Sequence, residues 1–269
     1  MKKSPLIIAL ITLISVARAS NSTVLFTDNF NAGGVGPDFN NSNSVTQSGT
    51  LGTLNYQILL PSPPNNVDTW RIQHSNAGQL LSLPGSAAGL MHDFASDANT
   101  ANAALVISFN INVENWQANN PLHWAQFNIA NTNNLVPLDT NVSFASLFRL
   151  NGLISQISVG NDLNNGSALS WTSNALISFN VSDTAGTGSA FNGHGSRIAM
   201  TIGDSTRTFD IPQMSAGYLS FSGYSYEVTG GAARVDNLTV GLVPEPSTYA
   251  LFGIGAIGML MVLRRKKTA

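Results

Sequence analysis

Ala103-Ala104-Leu105-Val106-Ile107-Ser108-Phe109-Asn110-Ile111-Asn112-Val113 is the stretch on which the fold turns. Leu105, Ile107, Phe109, Ile111 and Val113 fall on one face, and Ser108, Asn110 and Asn112 on the other. A period of two puts alternate side chains on opposite sides of a pleated strand, so this is a strand with one face in a core and one in water. The same period recurs in Ala175–Val181, with Ile177, Phe179 and Val181 inward, and in Arg197–Ile202 and Thr206–Ile211. Gly203-Asp204-Ser205 between the last two predicts a hairpin.

Further strands are expected at Val24–Phe30, Tyr56–Leu60, Trp124–Ile129, Phe144–Leu150, Ile154–Val159, Tyr218–Phe221, Tyr224–Val228 and Arg234–Val240. Gly, Asn, Ser, Thr and Asp separate nearly all of them, residues that supply positive φ or local side-chain hydrogen bonds in turns. No amphipathic helix is expected outside the two ends. A single open sheet would leave one apolar face uncovered, so the pattern predicts an all-β fold, an antiparallel β-sandwich.

The strand number, the opening Leu25-Phe26-Thr27-Asp28-Asn29-Phe30 and the closing Val235-Asp236-Asn237-Leu238-Thr239-Val240 resemble a concanavalin-like jelly roll. The resemblance implies that the first and last strands lie side by side. It implies also that Asp28 and Asp236 come close, at the place where some sugar-binding sandwiches hold a structural calcium.

With 269 residues and 43% apolar content the chain has enough material for one sizeable core. The formal charge of −2 hides an asymmetry, because every lysine (Lys2, Lys3, Lys266 and Lys267) lies at an end. Between residues 21 and 243 five arginines face 13 acidic residues. A body this acidic, without a basic stripe, disfavours nucleic acid, and none is expected as a partner. The sequence has no cysteine, which rules out disulfides, thiolate metal sites and cysteine nucleophiles.

Both ends read as addresses. Met1-Lys2-Lys3 is a basic start, Pro5–Val16 an apolar run, and Ala17-Arg18-Ala19 a small-residue pattern; together they predict a signal peptide over 1–19, cleaved after Ala19, for export through the Sec translocon. The other end reads Val243-Pro244-Glu245-Pro246-Ser247-Thr248, then an uncharged run from Tyr249 to Leu263, then Arg264-Arg265-Lys266-Lys267. The prolines keep the segment before the run extended, and the basic cluster would stay on the cytoplasmic side. As a helix the run would extend about 22 Å, short of a hydrocarbon core of about 30 Å. Transient insertion in the inner membrane fits that length better than lasting anchorage.

Triplet, apolar run and terminal basic cluster resemble the PEP-CTERM family of sorting tails, here over 243–269, with a hydrophobic helix at 249–263 and a basic end at 264–267. The resemblance implies recognition by an exosortase, a membrane-embedded, transpeptidase-like enzyme that processes exported proteins, with Pro244, Glu245, Pro246, Arg264, Arg265, Lys266 and Lys267 as the sorting motif. The remaining span, 20–242, is the sandwich domain. The expected product is a noncatalytic protein of the cell surface or extracellular matrix that binds exopolysaccharide; the alternatives are a secreted carbohydrate-active enzyme and a single-pass anchored structural protein.

Chemistry-bearing residues are sparse. Glycoside hydrolysis needs two carboxyl groups across the scissile bond, and the body has only Glu114 and Glu227 as glutamates, with no Glu-x-Asp-x-x-Glu strand. His74, His92, His123 and His194 are scattered, with no His-Glu-x-x-His pair and no Gly-x-Ser-x-Gly elbow. His92-Asp93, beside Asp97 and Asn99, is the one place where a carboxylate would orient an imidazole. Asp162-Leu163-Asn164-Asn165-Gly166 is oxygen-rich but reads as a plain turn, leaving Asp28 and Asp236 as the candidate structural-calcium pair, with no other cofactor expected. For sugar binding, Trp116 offers a ring face and Asn115 and Asn119 offer amides, in a polar stretch.

Overall fold

The computed structural model describes residues 22–30, 47–59, 73–74, 80–82, 87–114, 124–133, 142–149, 154–158, 161–162, 169–172, 174–184, 188–224 and 232–244. The expected signal peptide, with Ala17 and Ala19, and the expected helix at 249–263 lie outside them. Among the described residues no helix is long and apolar enough to cross a membrane.

Two antiparallel sheets form the body. In the first, β14 (Ser205–Ile211), β13 (Ser196–Ile202), β12 (Ala175–Asp183), β7 (Ala103–Glu114), β16 (Ala232–Pro244), β1 (Thr23–Asp28) and β2 (Gln47–Ser48) follow in that spatial order. Two short strands, β4 (Gln73–His74) and β5 (Leu80–Ser82), extend it by pairing β5 with the N-terminal part of β16. The second sheet runs β11 (Asn161–Asp162), β10 (Ile154–Ser158), β9 (Val142–Arg149), β8 (Trp124–Ala130), β15 (Tyr218–Tyr224), β6 (Ala87–Leu90) and β3 (Tyr56–Leu59). The all-β antiparallel sandwich read from the sequence is therefore the fold, with the first and last strands adjacent.

Alternation explains the layering. In β12 and β13 every second side chain is buried, and β7 sets Ile107 opposite Phe179 and Phe109 opposite Ile177. The sheets meet through rings: Phe127 of β8 stacks on Phe179 of β12 at 4.8 Å, while Phe109 of β7 meets Phe221 of β15 edge-on at 4.9 Å and Phe127 at 5.1 Å. Offset and edge-on geometries of this kind suit the ring quadrupole and add to the burial of apolar area. Trp171, against Phe148 at 5.8 Å, is part of the same core and not a surface ring.

Three expectations need correction. A helix, α1 (Phe94–Ala101), precedes β7, where none was expected. Asp93 caps it by accepting the Ala95 N–H, Phe94, Ala95 and Ala98 form its buried face, and Asn102 ends it in the left-handed conformation. The second correction concerns the last strand, expected at Arg234–Val240. It continues to Pro244, because Leu242 still has an inward-facing place in the core. The expected separate strands at Tyr218–Phe221 and Tyr224–Val228 are, as far as described, one strand to Tyr224.

Candidate functional site

The site that the sequence marks most clearly begins where the domain ends. β16 lies between β7 and β1, so from Thr239 to Leu242 its backbone is paired on both sides, and Leu242 faces Leu105 on β7 and Thr23 on β1. Val243 faces Ala104, and Pro244, the last residue of the strand, faces Ala103. Proline has no N–H to give a ladder and is tolerated where only one neighbour remains. Gly241 lets β1 come close: a Cβ there would stand 3.0 Å from the Thr23 carbonyl oxygen. Of the sorting residues, Pro244 is thus in the sheet; Glu245, Pro246, Arg264, Arg265, Lys266 and Lys267 lie outside the described residues.

Asp28 and Asp236 occupy the paired strands but do not converge. Asp28 faces Leu238 and is fully buried; its carboxylate accepts the Phe30 N–H at 2.8 Å, the Gln47 side-chain amide at 3.1 Å and the Tyr56 hydroxyl at 3.3 Å. Burial first, and then the Asp28 charge and hydrogen bond, push the Tyr56 hydroxyl well above the ordinary tyrosine value. Asp236 faces Asn110, on the outer side of the same sheet, and accepts the Asn237 N–H at 2.7 Å. Partial burial raises its pKa, against the pull of that hydrogen bond. A bulge between Asp236 and Thr239, with Asn237 at φ 53°, separates the two faces. Among the described residues no group of three or more His, Asp or Glu side chains is placed to hold a metal ion.

Around α1 a different cluster forms. His92 Nε2 lies 2.6 Å from Asp97 Oδ2, both groups partly exposed, and the His92 ring meets Phe94 edge-on at 4.8 Å. Asp93, next in sequence, has turned away: its Oδ1 accepts the N–H groups of Ala95 and of Gly217, at 3.0 and 2.7 Å. The Asn99 amide donates to the Phe191 carbonyl. Of the four residues read together in the sequence, two form an imidazole–carboxylate pair, the arrangement a proton-transfer group needs, and two hold the fold.

A polar row that sequence reasoning missed crosses the second sheet on the side away from the phenylalanine core. The Gln126 amide donates to Asn128, and the Asn128 amide donates to Ser220 Oγ at 3.1 Å, all three buried. Ser222, opposite Gln126, is buried, and among the described residues its hydroxyl is unmatched. The signal was present in Gln126-Phe127-Asn128 and Ser220-Phe221-Ser222, where the polar positions alternate with the core phenylalanines. Trp116, Asn115 and Asn119, expected to face a sugar, lie outside the described residues.

Among solved structures the chain is similar to the binding domain of botulinum neurotoxin DC in complex with rat synaptotagmin II, at 11% identity and a TM-score of 0.44, over 84% of this chain and 49% of that one. The chain therefore spans about half the length of that toxin structure. It is similar also to lectin I from Ulex europaeus in complex with the methyl glycoside of alpha-L-fucose, at 12% identity and a TM-score of 0.41, over 70% of this chain and 92% of that one. The Lotus tetragonolobus seed lectin gives 15% identity, a TM-score of 0.42 and the same two coverages, 70% and 92%. No curated protein matches the chain. Residues 242–266, beginning inside the last strand of the sandwich, match the PEP-CTERM protein-sorting motif.

Proposed function

We propose that the chain is an exported, noncatalytic protein of the cell surface or extracellular matrix, sent through the Sec translocon by its first 19 residues and processed at its tail by an exosortase. The observation that carries this reading is the position of the matched motif: it starts at residue 242, where the sandwich is running out of sheet, so the domain and the tail share only the end of β16. A tail so placed can be removed without taking any of the apolar core before Leu242 with it. During export the apolar run inserts in the inner membrane transiently.

The sandwich is read as a binder of extracellular polysaccharide. An acidic body disfavours polyanions with clustered phosphates, whereas hydroxyl-rich chains are held by ring faces and by amides that both donate and accept. Trp116 with Asn115 and Asn119 supplies that combination in one stretch of sequence. The test is a glycan panel probed with the mature protein from its own host, run beside a hydrolysis assay on the same sugars. Retention without turnover is the expected result. Turnover lost on substituting a single carboxylate would make the protein a carbohydrate-active enzyme instead.

A further inference from the structure

The register at the end of β16 bears on how the tail can be processed. Enzymes that cut peptides commonly read them as an added strand, through the backbone edges of the residues flanking the bond. Here those edges are taken. Gly241 is paired with Val24 and Val106, and Leu242 with Thr23 and Leu105, so neither residue has a backbone edge to offer. Among the described residues Val243 and Pro244 are paired with β7 alone, through Ala104 and Ala103. The Leu242 side chain is in the core, and lifting the strand end would bring it into water. The matched motif begins at this same residue, leaving no linker between sheet and signal.

We propose that β16 is a folding-dependent restraint on tail processing: once the sandwich has closed, the flank upstream of Pro244 is withheld from the processing enzyme, which confines cleavage to bonds beyond Pro244 and slows it. The step itself breaks one peptide bond, with the acyl carbon passing to water or to an acceptor amine and a proton to the departing amino group. The inference rests on the reading of the tail as a processed sorting signal. It adds that the folded domain, and not the tail alone, sets where and how fast the cut is made.

The restraint also fixes the ends relative to each other. Since Thr23 faces Leu242, the chain emerging from a cleavage after Ala19 and the chain entering the tail leave the sheet at one end.

The test inserts six Gly and Ser residues between Val243 and Pro244 of the full-length chain, which leaves the Pro-Glu-Pro triplet whole, and follows conversion to mature protein in its own host by pulse–chase and intact mass. Far-UV circular dichroism of the product checks that the sheet has formed. The insertion is expected to raise the rate at least about threefold, because the unmodified chain must first open locally at the strand end. In the unmodified chain every C-terminus should lie beyond Pro244. The same insertion after Thr248, which lengthens the tail without freeing the flank, should give no acceleration. An unchanged rate with the first insertion, equal acceleration by both, or a wild-type cut upstream of Pro244 would each overturn the restraint while leaving the sorting reading intact. If neither chain is shortened at all, the sorting reading fails and the restraint with it.

Discussion

Leu242 and Thr23 are partners across β16 and β1, and that single pairing ties the two ends of the domain together. The first strand after the expected signal peptide and the strand in which the matched motif begins lie side by side, next to the β2 edge of the first sheet. Whatever loosens this edge loosens the mount of the tail, so the residues holding β1 in place are the first to test.

Asp28 is the anchor of that edge. Its buried carboxylate accepts from the Gln47 amide, the Tyr56 hydroxyl and the N–H of Phe30, which sits at φ 53°. A bulky residue adopts that conformation only when its surroundings hold it there. Asp28→Ala leaves the Tyr56 hydroxyl and the Phe30 N–H without this acceptor inside the fold and should cost about 3 kcal/mol in a urea titration of the mature protein. A loss below about 0.5 kcal/mol would mean that the carboxylate is replaceable by water.

Tyr56 makes the same contact sensitive to pH. Its folded pKa is raised above the ordinary 10.0, so the neutral phenol is the form that the fold favours. Below pH 10 folded and unfolded chains both hold the proton, and stability is fully present; above it the unfolded chain loses the proton first, and stability falls until the raised folded value is passed. Thermal melts should therefore decline steeply from pH 10 upward in the wild type. Tyr56→Phe should start lower, by about 1 kcal/mol for the lost hydrogen bond, and show a shallower alkaline decline.

Asp93 joins α1 to the second sheet, accepting from Ala95 at the helix start and from Gly217 just before β15. Asp93→Ala should cost about 2 kcal/mol, more than the typical helix cap, because a second N–H loses its acceptor. Asp93→Asn, which keeps an acceptor oxygen, should recover most of the loss in the same unfolding experiment. Equal destabilisation by both substitutions would show that the carboxylate charge matters and not its geometry.

Much of this was legible beforehand wherever a strand was long enough to show its period. β7, β12, β13 and the Gly203-Asp204 hairpin follow from alternation and one glycine, found at φ 55°. Strands of two or three residues, such as Gln73–His74 and Leu80–Ser82, carry no full period and exist only because a partner strand is there to pair with them. α1 escaped because it is only eight residues long and half of them, Ser96, Asp97, Asn99 and Thr100, are weak helix formers, so its cap and one buried face stabilise it from outside. Its signature was nonetheless present in Asp93 ahead of Phe94, Ala95 and Ala98. The expected meeting of Asp28 and Asp236 followed from strand adjacency, which is found, but a one-residue bulge decides which face a side chain takes, and nothing in the residue types announced it. The last strand, expected to end at Val240, runs on to Pro244, because a terminal strand position tolerates a proline.

The central claim is that this chain is trimmed at both ends around an intact sandwich, and the intact mass of the mature protein isolated from its own host tests it most directly. The expected mass lacks residues 1–19 and corresponds to a C-terminus beyond Pro244 but before the apolar run at 249–263. A mass that retains either apolar segment would contradict it.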